Sequence, residues 1–285
     1  MKMLEFITTL RTLHEHSRRE SLGPESRIVF LSDLHMGDRG PRDDFRHNAG
    51  LFADSMSGRY LPEGWKLVLN GDIEELHKFK PAVVRQQYED VYGLFGAFAS
   101  QDRLVKIVGN HDLAMLLRDD HEFKLEHAFR LDRPDGSILA FHGHQSSKFF
   151  MKYNYLSDFL VRYIADPLKL KNTDVPMNSK RRFKAERRIY RASKELGIIS
   201  IVGHTHRPIF ESFSKYDTLR WNIESMLRRY ATEDGESREG TAALIAVYSA
   251  EFKRLSKKER RNKVSRSLYE REELLVPCMF NSGCA

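Results

Sequence analysis

The stretch Arg27-Ile28-Val29-Phe30-Leu31-Ser32-Asp33-Leu34-His35 sets an apolar, β-branched run directly before a carboxylate and an imidazole two residues apart. A short run of this kind, bounded by polar residues, reads as a buried strand. On an extended chain, side chains two residues apart share a side, so Asp33 and His35 can converge on one ion. The same arrangement recurs along the chain. Trp65–Leu69, Leu104–Val108, Ile138–Phe141 and Ile198–Val202 also read as strands. They lead into Asn70-Gly71-Asp72, Gly109-Asn110-His111-Asp112, Phe141-His142-Gly143-His144 and Gly203-His204-Thr205-His206. In open α/β sheets ligands collect at the carboxyl ends of strands, where every one of these motifs lies.

Between the strands, Phe45–Met56, Pro81–Ser100 and Lys148–Ile164 show helix-like apolar spacing, and the alternation of strand and helix predicts an α/β architecture. Met1–Ser17, with Leu4, Ile7, Leu10 and Leu13, predicts an amphipathic helix packed on its own domain, neither a signal peptide nor a membrane span. Toward the end of the chain, Leu219–Tyr230 reads as a helix, Ala231–Ser237 as a polar loop, and Thr241–Tyr248 and Leu274–Phe280 as strands of a second sheet. A single domain over residues 1–285 is expected, with residues 145–197 forming a helical, basic insert that could cap the site.

The 285 residues are 41% hydrophobic and 31% charged, which excludes disordered and fibrous classes. A net charge of +7 favours an anionic partner: a phosphorylated small molecule, a nucleotide, a lipid-linked substrate at a membrane surface, or nucleic acid. The charge is densest in Lys180–Arg191 and in the run Lys253, Arg254, Lys257, Lys258, Arg260, Arg261 and Lys263, where a solvated helix face is the plainer reading. Cys278 and Cys284 lack the spacing of a zinc ribbon and the density of a secreted scaffold; they read as free thiols of a cytoplasmic protein.

The motifs deliver two carboxylates, four imidazoles and one amide to successive strand ends, a donor set suited to two divalent ions beside a phosphate. Asp72 can bridge both ions, because a carboxylate has two oxygens. Asn110 adds a neutral amide oxygen, which leaves the pair of ions with residual positive charge. Two such ions can activate a water to hydroxide for in-line attack on phosphorus. His111 is placed to protonate the leaving alkoxide and Asp112 to orient it. His144 is open to three readings: a partner of a ligand, a substrate contact or a loop residue. Arg207 either clamps phosphate or caps a turn. His14, His16, His47, His77, His121 and His127 read as ordinary core or surface histidines.

The set Asp-x-His, Gly-Asp, Gly-Asn-His-Asp, His-Gly-His and Gly-His-Thr-His resembles the calcineurin-like metallophosphoesterase superfamily over about Arg27 to Pro208. The resemblance implies two mixed β-sheets sandwiched between helices, a four-layer α/β/β/α fold. It implies one metal at Asp33, His35, Asp72 and His206 and another at Asp72, Asn110, His142 and His204, with His111 as the acid. The metals implied are manganese first, with iron or zinc as alternatives. Gly-His-Thr-His-Arg-Pro and the basic insert are similar to the UDP-2,3-diacylglucosamine hydrolases, although those enzymes typically carry Arg where this chain has His111. Hydrolysis of a phosphomonoester or phosphodiester is the expected reaction. The alternatives are a UDP-sugar-lipid pyrophosphatase, a nucleic-acid phosphodiesterase and a non-catalytic scaffold of the same fold.

Overall fold

The structure, a computed structural model, describes residues 2–118, 121–146, 179–206, 215–255 and 279–283. The chain divides into two compact units, Met1–Phe210 with Cys278–Ala285, and Glu211–Pro277.

The described residues of the first unit form nine strands: β1 (Arg18–Ser21), β2 (Ile28–Leu31), β3 (Lys66–Asn70), β4 (Leu104–Ile107), β5 (Leu125–Glu126), β6 (Phe129–Arg133), β7 (Gly136–Ala140), β8 (Ile198–Val202) and β9 (Met279–Asn281). Its described α-helices are α1 (Lys2–His16), α2 (Ala49–Ser55), α3 (Pro81–Gln87), α4 (Glu89–Ala99) and α5 (Ser179–Leu196). The strands form a five-stranded sheet in the order β1-β6-β7-β8-β9 and a four-stranded sheet in the order β2-β3-β4-β5. The first is mixed, since β6 and β7 run antiparallel while its other pairs are parallel. Every described pair of the second is parallel.

Period-two alternation assigns the faces. Along β3, Val68 points toward the other sheet and packs with Val105, Ile107, Phe129, Leu131 and Ala140. Its neighbours Leu67 and Leu69 point the opposite way, into a cluster with Phe45, Phe52, Met56, Phe95 and Phe98 from the helical side. On the outer face of the five-stranded sheet, α5 packs on β8 and α1 packs on α5. Phe6, Leu10 and Leu13 bury the apolar stripe of α1. The layers are therefore helix, sheet, sheet, helix, as the resemblance implies. Each fully buried Leu or Phe in them contributes roughly 1.5–3 kcal/mol.

The predicted strands over 27–31, 65–69, 104–108, 138–141 and 198–202 coincide with β2, β3, β4, β7 and β8 to within two residues. The helix expected over Phe45–Met56 is broken into a 3₁₀ turn at Phe45–His47, α2 and a π-helical turn at Met56–Tyr60. Lys148–Ile164 lies outside the described residues, as do Cys278 and Cys284.

The second unit contains α6 (Lys215–Tyr230) and α7 (Gly235–Arg254), which pack against each other. The strand expected over Thr241–Tyr248 is thus a correction: the segment is helical. Its continuous apolar run carries no period that separates strand from helix, and its alanines favour the helix once 20 residues are available to form it. The polar loop shortens accordingly, because α7 already begins at Gly235. Of Leu274–Phe280, the described part is in β9, which joins β8 in the five-stranded sheet instead of starting another. No described helix is long and apolar enough to cross a membrane.

Candidate metal centre

Each motif begins where a strand stops. Asp33 follows β2, Asp72 follows β3, and Asn110 with His111 follows β4; His142 follows β7, and His204 with His206 follows β8. The backbone there is bent into a conformation that side chains disfavour. Asp33, His35, Asp72, His204 and His206 have φ of +56°, +52°, +54°, +67° and +54°. Left-handed residues with side chains cost on the order of 1–3 kcal/mol each and persist where their surroundings hold them. Here neighbouring loops hold one another: Asp33 N–H donates to the Gly71 carbonyl at 3.0 Å, His35 N–H to that of Asp72 at 3.0 Å, and Met36 N–H to that of Ile73 at 2.8 Å.

Two glycines permit the approach. A Cβ on Gly109 would overlap the backbone nitrogen of Asp72, and one on Gly203 would lie 2.5 Å from both Asp33 Oδ2 and Ser32 Oγ. The space that alanine would fill is occupied by the functional carboxylates.

Among the described residues three donor groups result: two share Asp72, and His35, Glu75 and His111 form the third. Asp33, His35, Asp72 and His206 bring ligand atoms within 4.8 Å of one another, and so do Asp72, His142 and His204. Asp72 belongs to both of these, so it could reach either of two ions held there. In the first group, His206 Nε2 lies 3.2 Å from Asp33 Oδ1 and 3.0 Å from His35 Nε2. In the second, His142 Nε2 lies 3.0 Å from Asp72 Oδ2, while its Nδ1 lies 2.9 Å from the Asn70 carbonyl. A ring nitrogen facing a carbonyl must carry the proton, so Nε2 is the nitrogen left for a metal. Asn110 Oδ1 is buried and has no hydrogen-bond partner among the described residues. A buried acceptor of that kind is costly unless something binds it. Carboxylate, imidazole and amide donors converging in this way fit divalent ions such as manganese, iron or zinc.

The electrostatics are those of a site built for cations. Burial opposes ionisation of Asp33 and Asp72, yet His142 and the neighbouring histidines together outweigh it, His206 at Asp33 and His111 and His35 at Asp72, and hold Asp33 below, and Asp72 well below, the usual carboxylate range. Burial works against His142 too, but the carboxylates of Asp72 and Asp33 lift it to about 10. Burial and the charge on His142 together drive His204 down to about 3. A proton on His142 stands in for the charge that a metal would bring.

His111 stands at the rim, and its Nδ1 lies 2.8 Å from Glu75 Oε1. Its Nε2 lies 4.0 Å from Asp72 Oδ2, so it faces the donor groups. Burial lowers its basicity, but the charge on Asp72 and the hydrogen bond it donates to Glu75 reverse that and raise it. The same Glu75 reaches His35 Nδ1 at 3.3 Å and Lys78 Nζ at 3.4 Å. Glu75 has no role in the reading of the sequence; its one signal is an acid three residues beyond Asp72, in the stretch Gly71-Asp72-Ile73-Glu74-Glu75. Asp112, expected to orient His111, has its oxygens against the backbone N–H groups of Ile73, at 2.9 Å, and Gly109, at 2.5 Å. It secures the two loops while Glu75 holds the imidazole. Burial and the nearby charges of Asp72 and Glu74 raise Asp112 to about 7.

His144 is fully buried, its ring centroid 5.5 Å from that of His142. Burial and the charges on His142 and His204 push it well below the usual histidine range. Arg207 lies outside the described residues.

No curated protein sequence matches the chain. Among solved structures it is similar to a conserved uncharacterized protein from Streptococcus pneumoniae TIGR4, described as a predicted phosphoesterase, at 16% identity and a TM-score of 0.28. That similarity covers 64% of this chain, which spans 63% of the other. The family model for calcineurin-like phosphoesterases matches residues 26–220. That range takes in every donor from Asp33 to His206 as well as His111 and Glu75, and the chain belongs to the calcineurin-like phosphoesterase family.

Proposed function

We propose that the protein hydrolyses a phosphomonoester or phosphodiester with two divalent ions, manganese foremost, held by Asp33, His35, Asp72 and His206 and by Asp72, Asn110, His142 and His204. The sparse cysteines favour the cytoplasm as its place of work. Bound there, the ions would polarise the phosphoryl oxygens and activate a water for attack. The chain's own residues supply the proton chemistry. His111 carries a proton on Nε2, and Glu75 fixes the ring by accepting from Nδ1. As the water oxygen bonds to phosphorus and the bond to the leaving oxygen breaks, that proton passes from Nε2 to the leaving oxygen.

The observation that carries the reading is the sharing of Asp72 between two buried donor groups, with a carboxylate-braced imidazole facing it. Exposed Lys184, Arg191 and Lys194 on α5 add to a net charge of +7, whose long-range field attracts anions.

Leaving-group dependence tests the role of His111. A diester that releases p-nitrophenolate needs little protonation, whereas one that releases an alkoxide needs much. His111→Ala should slow the alkyl ester by about 10²–10⁴-fold and the nitrophenyl ester far less. Equal losses on both esters would remove His111 from the acid role.

A further inference from the structure

We infer that helix α5 braces the histidine side of the metal centre from behind, with Glu186 as the residue that positions the Gly203–His206 turn. The inference rests on the reading of that centre as a metal site. Thr205 lies between two donors, and both flanking histidines hold left-handed backbone. Its hydroxyl donates to Glu186 Oε1 at 2.9 Å and accepts from Asn281 Nδ2 at 2.9 Å. The same Asn281 amide donates to the Gly203 carbonyl at 2.9 Å. Glu186 is fully buried although it belongs to the most basic of the described helices. One helical turn of α5 reaches the neighbouring histidine loop as well, since Arg188 Nη1 donates to the Ser146 carbonyl just beyond His142–His144. Farther along, the Ser193 and Ser200 hydroxyls, 2.6 Å apart, pin α5 to β8. The helix is thereby tied to both loops through which the five-stranded sheet contributes imidazoles.

The two histidines depend on this brace unequally. His204 N–H lies 3.1 Å from each oxygen of Asp33, so its backbone has an anchor of its own. His206 follows Thr205 directly, so the contacts that fix Thr205 act next to this donor, which also lies against Asp33 and His35. Loss of Glu186 should therefore loosen chiefly the ion held by Asp33, His35, Asp72 and His206.

The test is titration of metal-free protein with Mn²⁺, with free ion followed by electron paramagnetic resonance, in wild type, Glu186→Ala, Glu186→Gln and Thr205→Val. Wild type should take up two ions. Glu186→Ala and Thr205→Val should keep one and bind the other about 10–100-fold more weakly, the usual effect of removing a partner of a ligand. Glu186→Gln, which retains an acceptor for the Thr205 hydroxyl, should recover most of the loss. Two ions bound with wild-type affinity in both Glu186→Ala and Thr205→Val would overturn the inference, as would a glutamine variant no better than alanine. Should Glu186→Ala not fold, by circular dichroism, Thr205→Val decides alone, because it exchanges only a hydroxyl for a methyl. If wild type itself binds no Mn²⁺, the metal reading fails first and the inference falls with it.

Discussion

Asp72 bears more of the site than any other residue: it stands in both donor groups, accepts the His111 N–H at 2.8 Å and sustains the charge on His142. With His142 raised to about 10, its Nε2 is protonated at neutral pH in the metal-free protein, and that proton must leave before the nitrogen can bind a cation. Metal affinity should accordingly rise with pH across the neutral range. Calorimetry in two buffers of different ionisation enthalpy should find about one proton released per protein on Mn²⁺ uptake. Binding heats independent of the buffer would contradict this. For His111, the charge on Asp72 and, after it, the hydrogen bond and charge of Glu75 raise its basicity against burial. Glu75→Gln should lower it, so the alkaline limb of the kcat profile, where the imidazolium is lost, should move to lower pH while metal content stays the same. A limb that does not move would show that Glu75 does not hold the acid.

At this scale the sequence was most informative. Asp33, His35, Asp72, His142, His204 and His206 come together in donor groups, because strand ends fix where such motifs must go. Glu75 was hidden for a physical reason: its partner His111 lies 36 residues ahead, and no local pattern announces a contact between two loops. Asp112 shows the converse, since adjacency to His111 invited a pairing that the backbone N–H groups of Gly109 and Ile73 claim instead.

Among the elements, strand ends and loops govern the chemistry. Gly203→Ala would push a Cβ to 2.5 Å from Asp33 Oδ2, and neither Ser32 nor Asp33, both buried, has room to retreat. The substitution should cost on the order of 2–4 kcal/mol of stability, as overpacking and lost buried hydrogen bonds together do. It should also abolish binding of at least one ion, measured by chemical denaturation and metal analysis. A variant as stable as wild type with two ions bound would contradict the packing described. The core strands were legible because β2, β3 and β4 alternate or run apolar over four to five residues between polar boundaries. β6 was not, because Arg130, Asp132 and Arg133 interrupt its two buried residues, Phe129 and Leu131. Thr241–Tyr248 failed in the opposite direction, for an unbroken apolar run has no period and only its length, 20 residues in α7, distinguishes helix from strand.

In the whole molecule, metal and fold are linked, since a centre drawn from loops of both sheets is assembled only when the sheets are stacked. Mn²⁺ at 100 times its Kd should add about 2.7 kcal/mol per ion, and over a unit of this size each kcal/mol raises Tm by roughly 2–4 °C. Thermal scans of wild type with and without Mn²⁺ should show that rise, and Asp72→Asn should lose most of it. An unchanged Tm would separate the site from the fold. The layered architecture follows from the alternation of strands and helices, whereas the partition into two compact units could not be read from composition, because no linker of distinctive sequence separates them.

The most direct measurement is turnover of bis-p-nitrophenyl phosphate and p-nitrophenyl phosphate by metal-free protein resupplied with Mn²⁺, beside Asp72→Asn, with bound metal counted in the same samples. The account predicts two ions in wild type, hydrolysis that depends on them, and loss of both in the variant. Hydrolysis that survives without metal, or in Asp72→Asn, would contradict it.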